Sequence, residues 1–186
     1  MQELSLNVLD IAQNSIRAGA DLIEIEISKH TASGILEIRI KDNGCGMTEE
    51  QIAKVIDPFF TTRTTRKIGL GVPFFKMTAE MTGGDFSIQS KVGEGTEVCA
   101  TYHYRHIDML PLGDMASTVV TLVSVNPQLD FIYRYRVDTE EFVFDTREIK
   151  QTLDGVAINE NEILAFLKEM LEDNMNEANA GTDEIV

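Results

Sequence analysis

The chain has 186 residues, carries 31 acidic against 16 basic side chains and has a formal net charge of −15 at pH 7. That balance excludes nonspecific nucleic-acid binding and insertion at an anionic membrane surface, both of which need concentrated positive charge, and it favours solubility and basic partners. The two cysteines, Cys45 and Cys99, have no metal-ligand spacing and make no disulfide framework. The start of the chain has an acid at Asp10 and no leader pattern, the longest apolar runs fall short of a membrane span, and a reducing cytoplasm is the expected compartment. The length suits one domain with an appendage.

Leu4, Leu6, Val8, Leu9, Ile11, Ala12, Ser15 and Ile16 recur at helical spacing, and Gly19 is placed to stop that helix. Leu22 to Ile27 alternates as a strand, and Ile35 to Ile40 pairs with it as a hairpin across Lys29 to Gly34. Next comes Asp42-Asn43-Gly44-Cys45-Gly46-Met47. The Asp42 carboxylate can accept from the exocyclic amine of a flat polar ring, and Gly44 and Gly46 admit a ligand where a Cβ would collide. A glycine-rich strand-to-helix turn is the other reading.

Thr48-Glu49-Glu50-Gln51 has the form of a capping box, opening a short helix that Pro58 ends. Phe59 to Ile68 is rich in Thr and Arg, lacks periodicity and reads as a mobile loop. Helical spacing resumes over Gly71 to Met81 and stops at Gly83-Gly84. Phe86 to Gln89 and Glu97 to Tyr104 are strands joined through Gly93-Glu94-Gly95. The order is α+β, a sheet with helices covering one face.

The pattern shifts near His106. Met109 to Asp114, with Pro111 and Gly113, reads as a linker. Thr118 to Val125, Phe131 to Val137 and Glu141 to Phe144 read as strands separated by Asn126-Pro127 and Asp138-Thr139. A helix is expected from Asn159, with Glu162 completing a capping box and Ile163, Leu164, Phe166, Leu167, Met170 and Leu171 forming one stripe. Asn174 to Val186 is polar, acidic and expected to be disordered. The division is therefore 1–105, a β-rich extension over 106–158, an amphipathic helix over 159–173 and an acidic tail over 174–186.

Asp10 and Asn14, four residues apart, share one helix face. An Asn amide oxygen suits Mg²⁺, which keeps several waters and bridges phosphates, and a carboxylate one turn earlier can take a proton from an attacking water or hydroxyl. A solvated helix face explains the same pair. Arg17, one turn further, reaches a phosphate or simply water. Gly69-Leu70-Gly71-Val72 sits where the loop meets a helix, whose N-terminal amides form an anion site. No Lys-Ser/Thr follows, so it is no Walker loop, and neither glycine cluster has the third glycine of a dinucleotide fingerprint.

In chain order, Asp10 through Asn14, Asp42 to Met47, Pro58-Phe59-Phe60-Thr61-Thr62, Gly69-Leu70-Gly71-Val72 and Gly93-Glu94-Gly95-Thr96 resemble the N, G1, F, G2 and G3 boxes of GHKL ATP-binding domains. That superfamily includes gyrase B, heat-shock chaperones, histidine kinases and MutL. The resemblance runs from Leu4 to Tyr104. It implies a two-layer α/β sandwich, the Bergerat ATP-binding fold, over 1–105; the β-rich extension and terminal helix read from the residue pattern lie beyond it and match no such box. It further implies that Asn14 binds Mg²⁺, that Asp42 accepts from the adenine amine with Thr96 supporting it, and that Gly44, Gly46 and Met47 shape the base pocket. Gly69 and Gly71, with Leu70 and Val72, would start the helix over the phosphates. Phe59 belongs to the F box. Thr61 to Ile68 would be a lid in which Arg63, Arg66 and Lys67 touch the triphosphate or form a solvated loop.

Histidine kinases usually carry a neutral residue where Asp10 stands and a phosphoacceptor hairpin upstream. His30, His103 and His106 lack the acceptor pattern, so an autophosphorylating sensor in one chain is not expected. The acid at Asp10 looks like the general-base position of stand-alone anti-sigma-factor serine kinases or of the ATPase branch, where Glu is usual and one methylene longer. The short lid and the lack of a transducer domain favour the small kinases. The expectation is a cytoplasmic Mg-ATP-binding protein that phosphorylates a partner in trans on Ser or Thr, with Asp10 as base. The alternative is a non-catalytic or weakly hydrolysing nucleotide-sensing module that engages a partner according to ATP state. The partner or phosphoacceptor is unidentified, a homodimer stays open, and the Ile163 to Leu171 stripe packs on its own core or forms a partner groove.

Overall fold

Alternation of apolar and charged residues builds one six-stranded sheet, and helical spacing supplies the layer that covers it. The computed structural model describes residues 3–57 and 71–181. Helix α1 (Leu4–Arg17) leads into the hairpin β1 (Leu22–His30) and β2 (Ile35–Asp42), then helices α2 (Glu49–Ile56) and α3 (Gly71–Met81). A second hairpin, β3 (Phe86–Lys91) and β4 (Gly95–His103), is followed by helix α4 (Met115–Val125). A third, β5 (Asp130–Val137) and β6 (Glu140–Asp145), precedes helices α5 (Thr146–Thr152) and α6 (Asn161–Asn179). The strand order is β3-β4-β2-β1-β5-β6, antiparallel throughout except for the parallel pair β1–β5.

Ile23, Ile25 and Ile27 of β1 and Leu36, Ile38 and Ile40 of β2 are buried in a single core with Leu4, Val8 and Ile11 of α1, Phe75 and Ala79 of α3, and Val119, Leu122 and Val123 of α4. The intervening residues lie on the other face, half-buried and laced by ion pairs such as Arg134–Glu24 at 3.1 Å and Arg39–Glu37 at 2.9 Å. A one-residue slip in register would exchange these two sets, so the pattern itself pins the register.

The capping box at Thr48 forms as read: its hydroxyl accepts from the Gln51 N–H at 3.3 Å, and the Gln51 side chain accepts from the Thr48 N–H at 2.8 Å. Pro58, expected to end that helix, and Phe59 to Ile68, expected as a loop, lie outside the described residues. Thr118 to Val125, expected as a strand, is instead the body of α4. Its β-branched residues favour strands, but Met115, Ala116, Val119, Leu122 and Val123 are buried at helical spacing. The Asp114 carboxylate caps the start by accepting from the Ser117 N–H at 2.8 Å. Helix α5 was not expected; it is a short helix whose start is fixed by Asp145 accepting from the Arg147 N–H at 2.9 Å.

The terminal helix also departs from expectation. It starts after Glu160 with no side-chain cap, so the Asn159–Glu162 capping box does not form. It continues to Asn179, so residues 174–179, expected to be disordered, are helical. Burial of Ala178 and the Tyr135 hydroxyl donating to the Asn179 amide oxygen at 3.2 Å hold that last stretch against the sheet. Beyond Tyr104 the chain enlarges the existing sheet, because β5 pairs with β1 from Leu22↔Asp130 to Lys29↔Val137. The linker also serves α1: the Leu4 and Ser5 N–H groups, orphans at a helix start, donate to the Pro111 and Leu112 carbonyls at 3.0 and 2.8 Å. Among the described residues no helix is long and apolar enough to cross a membrane.

Candidate functional site

A cavity of about 270 Å³ opens between α1, α2, the start of α3 and the ends of β2 and β4. Its walls are apolar, with Ile11, Ile40, Val72, Ile88 and Val98, and its polar lining includes Asn14, Ser15, Asp42 and Thr96. Asp42, the last residue of β2, is buried and satisfied from three sides. One carboxylate oxygen, Oδ1, accepts from the Gly44 N–H at 2.9 Å and from the Thr96 N–H at 3.2 Å, while Oδ2 accepts from the Ser15 hydroxyl at 2.6 Å. A carboxylate has about four acceptor positions, so one remains on Oδ2.

The glycines around it answer to the protein's own backbone. A Cβ on Gly46, whose φ is +65°, would lie 2.0 Å from the Lys91 carbonyl oxygen, and a Cβ on Gly44 would press on Ala18 at 3.0 Å. Gly44 and Gly46 therefore let the β2–α2 turn lock against α1 and the β3–β4 turn; the collision expected with a ligand is with protein atoms. Met47 lines the cavity, and its N–H donates to the Ser90 hydroxyl at 2.8 Å. Asn43, inside the same motif, faces the other way and staples the start of β1: its amide oxygen accepts from the Asp21 and Leu22 N–H groups at 3.0 and 3.1 Å.

On α1, Asn14 lines the cavity, and its amide oxygen accepts from the Arg17 guanidinium at 3.2 Å. Arg17 itself is exposed and lines a separate cleft between α1 and α4. Asp10 stands at the junction with α3: a Cβ on Gly71 would lie 2.8 Å from the Asp10 Cβ. Gly71 and Val72 are buried, and Val72 reaches the cavity. Thr96 meets Asp42 through its backbone N–H, and its hydroxyl lies 2.8 Å from Ser90. Phe59, Lys67, Gly69 and Leu70 lie outside the described residues. No cluster of three or more His, Cys, Asp or Glu able to hold a metal occurs among the described residues.

Two residues escaped sequence reasoning. Ser15 was counted in the apolar stripe of α1, yet its hydroxyl is the closest protein partner of Asp42. A polar residue within a buried stripe needs a partner, and that was the available signal. Ser90 left no signal at all, because it acts from β3 on backbone groups of two turns.

A sheet layered on helices, with a cavity between them walled by a strand-end carboxylate and a helix-borne Asn, defines the two-layer α/β sandwich of the Bergerat class. The profile of the family described as "Histidine kinase-, DNA gyrase B-, and HSP90-like ATPase" matches residues 2–106, and the chain belongs to that family. Among curated proteins, it is 33% identical over 101 residues to the sensor protein SrrB of Staphylococcus aureus, covering 52% of this chain and 17% of that protein. It is 29% identical over 110 residues to the non-motile and phage-resistance protein of Caulobacter vibrioides, covering 54% and 13%. It is 27% identical over 95 residues to the histidine protein kinase DivJ of the same organism, covering 49% and 16%. The matched region is thus under a fifth of each relative's length, and none of these three is named as an anti-sigma-factor kinase. A solved structure, the N-terminal domain of a DNA repair protein, is similar with a TM-score of 0.52 at 13% identity, covering 77% of this chain and 52% of that one. That likeness concerns the fold, and it spans more of the chain than the family match does.

Proposed function

We propose that the cavity takes the adenine end of Mg-ATP and that the chain transfers the terminal phosphoryl group to a hydroxyl of a protein partner, in the cytoplasm. The observation carrying this reading is Asp42. With three acceptor positions filled by the Gly44 N–H, the Thr96 N–H and the Ser15 hydroxyl, the remaining one accepts an amine. A base presenting a carbonyl there would meet a carboxylate with no proton to give. The apolar walls suit the faces of a flat ring.

The donor set fits Mg²⁺ in a particular way. Asn14 would hold the ion through its amide oxygen, exchanging the Arg17 bond for the cation, and with no acidic cluster among the described residues the other ligand places fall to phosphate oxygens and water. Mg²⁺, when bound, neutralises charge on the transferred group. The N-terminal amides of α3 would receive phosphate oxygens, and Asp10, beside Gly71, would take the proton of the attacking hydroxyl. Phe59, Lys67, Gly69 and Leu70 keep the roles that the family resemblance implies, and residues 106 onward would engage the partner. A second reading, a nucleotide sensor, is favoured by one observation: α1, which carries Asp10 and Asn14, is hydrogen-bonded at its start to the linker of the extension.

Calorimetry tests the nucleotide site. Asp42→Asn should weaken adenine nucleotide binding by about 2 kcal/mol, roughly thirtyfold, because a charge-assisted bond is lost and an amide can face the amine; unchanged affinity overturns the site. Asp10→Asn should keep ATP affinity and lose phosphate transfer. A wild-type protein that neither hydrolyses ATP nor labels any co-purifying protein removes the enzyme reading and leaves the sensor.

A further inference from the structure

Helix α6 buries only part of its apolar stripe. Leu167 and Leu171 are in the core, but Phe166 is 62% exposed. Beside it a groove of about 290 Å³ runs between α5 and α6, walled by Ile149, Leu153, Ile163, Phe166, Leu167 and Met170. Its border is acidic. Glu148 lines it, and Glu162, Glu169 and Asp173 share the α6 face of Phe166 at helical spacing. These four carboxylates are exposed and make no ion pair among the described residues. The cations nearby are already engaged: Arg147 with Asp145 at 2.6 Å, Lys150 with Asp130 at 2.8 Å, and Lys168 with Glu172 at 3.6 Å.

We propose that this groove docks a basic amphipathic helix of a partner protein, its apolar face on Phe166 and its Lys and Arg residues against the acidic border. Charge complementarity selects the occupant. A second copy of the chain would set acid against acid in a molecule of net charge −15, and an anionic membrane would be repelled for the same reason. The exposed aromatic anchor, a groove between helices and a single-sign border are the elements of helix-in-groove recognition. The inference stands apart from the nucleotide reading, since the groove and the cavity share no lining residue.

The test uses the full chain and a dye-labelled amphipathic peptide of Leu and Lys at helical spacing, with a Leu and Glu counterpart, read by fluorescence anisotropy at low and at physiological salt. The Lys peptide should bind and the Glu peptide should not. Phe166→Ser should weaken binding roughly tenfold, and so should Glu162→Lys with Glu169→Lys. The same charge change on the far side, Glu49→Lys with Asp85→Lys, should leave affinity nearly unchanged. Phe166 is exposed, so its variant should keep the wild-type unfolding midpoint. Failure of the Lys peptide to bind, an equal loss from the remote pair, or full affinity in Phe166→Ser overturns the proposal. Self-association in sedimentation that Phe166→Ser abolishes assigns the groove to a second copy instead.

Discussion

Ser15 and Asp42 stand 27 residues apart and meet at 2.6 Å, the shortest of the contacts that orient the carboxylate. Ser15→Ala leaves the carboxylate held by the Gly44 and Thr96 N–H groups alone, both on Oδ1. Adenine nucleotide affinity should fall by about 1 kcal/mol, while thermal unfolding shifts little; wild-type affinity in calorimetry would remove Ser15 from the site. Asn7, two turns before Asn14 on α1, presents the opposite case. It is fully buried, and among the described residues neither the oxygen nor the nitrogen of its side-chain amide has a hydrogen-bond partner. Asn7→Leu, similar in size, should raise stability by about 1–3 kcal/mol in urea unfolding, and a loss would show that the amide is satisfied in solution. At this scale the sequence singled out Asn14 and Asp42, both of which line the candidate cavity, because their motifs are local. It concealed Ser15, Ser90 and the stapling role of Asn43, because each depends on atoms from a distant part of the chain.

At the scale of elements, hairpins and amphipathic helices were legible wherever a period was clean, as in β1, β2 and α3. Helix α4 was not, because its Thr and Val residues favour strands while its buried spacing and its Asp114 cap favour a helix. Burial and capping outweigh propensity there. Asp114→Ala should therefore cost about 1 kcal/mol. Burial pushes the Asp114 carboxyl up, but the hydrogen bonds from Ser117 outweigh it and hold the group below its ordinary value. A carboxylate depressed in the folded state stabilises above its unfolded pKa and loses that contribution as pH falls through the folded one. The gap between wild type and Asp114→Ala in unfolding experiments should accordingly close in acid. A gap that persists there would place the effect in packing.

For the whole molecule, Tyr102, Tyr133 and Tyr135 lie in the core, and burial raises all three phenols above their ordinary value. A raised folded pKa gives stability that is complete below the unfolded value, near 10, and is lost as pH climbs toward the folded one. Stability should fall above about pH 10 by up to ~1.4 kcal/mol per pH unit for each tyrosine. The Tyr133 hydroxyl donates to the Met175 sulfur, at 3.5 Å. Tyr133→Phe should thus flatten the alkaline slope by one proton with little loss at neutral pH; an unaltered slope from unfolding at several alkaline pH values would exclude it as a contributor. The union of the two halves of the sheet was illegible, since neither β1 nor β5 encodes in its own alternation which strand lies beside it.

That union bears on what can be cut out of this protein. β1 lies inside the sheet only because β5 runs along it for eight residue pairs. A fragment ending with the family match at residue 106 would turn β1 into a frontier, with a row of bare peptide groups able to template another chain, and would strip the start of α1 of the linker carbonyls that bind it. The stretch that the family match covers is shorter than the single sheet to which it belongs.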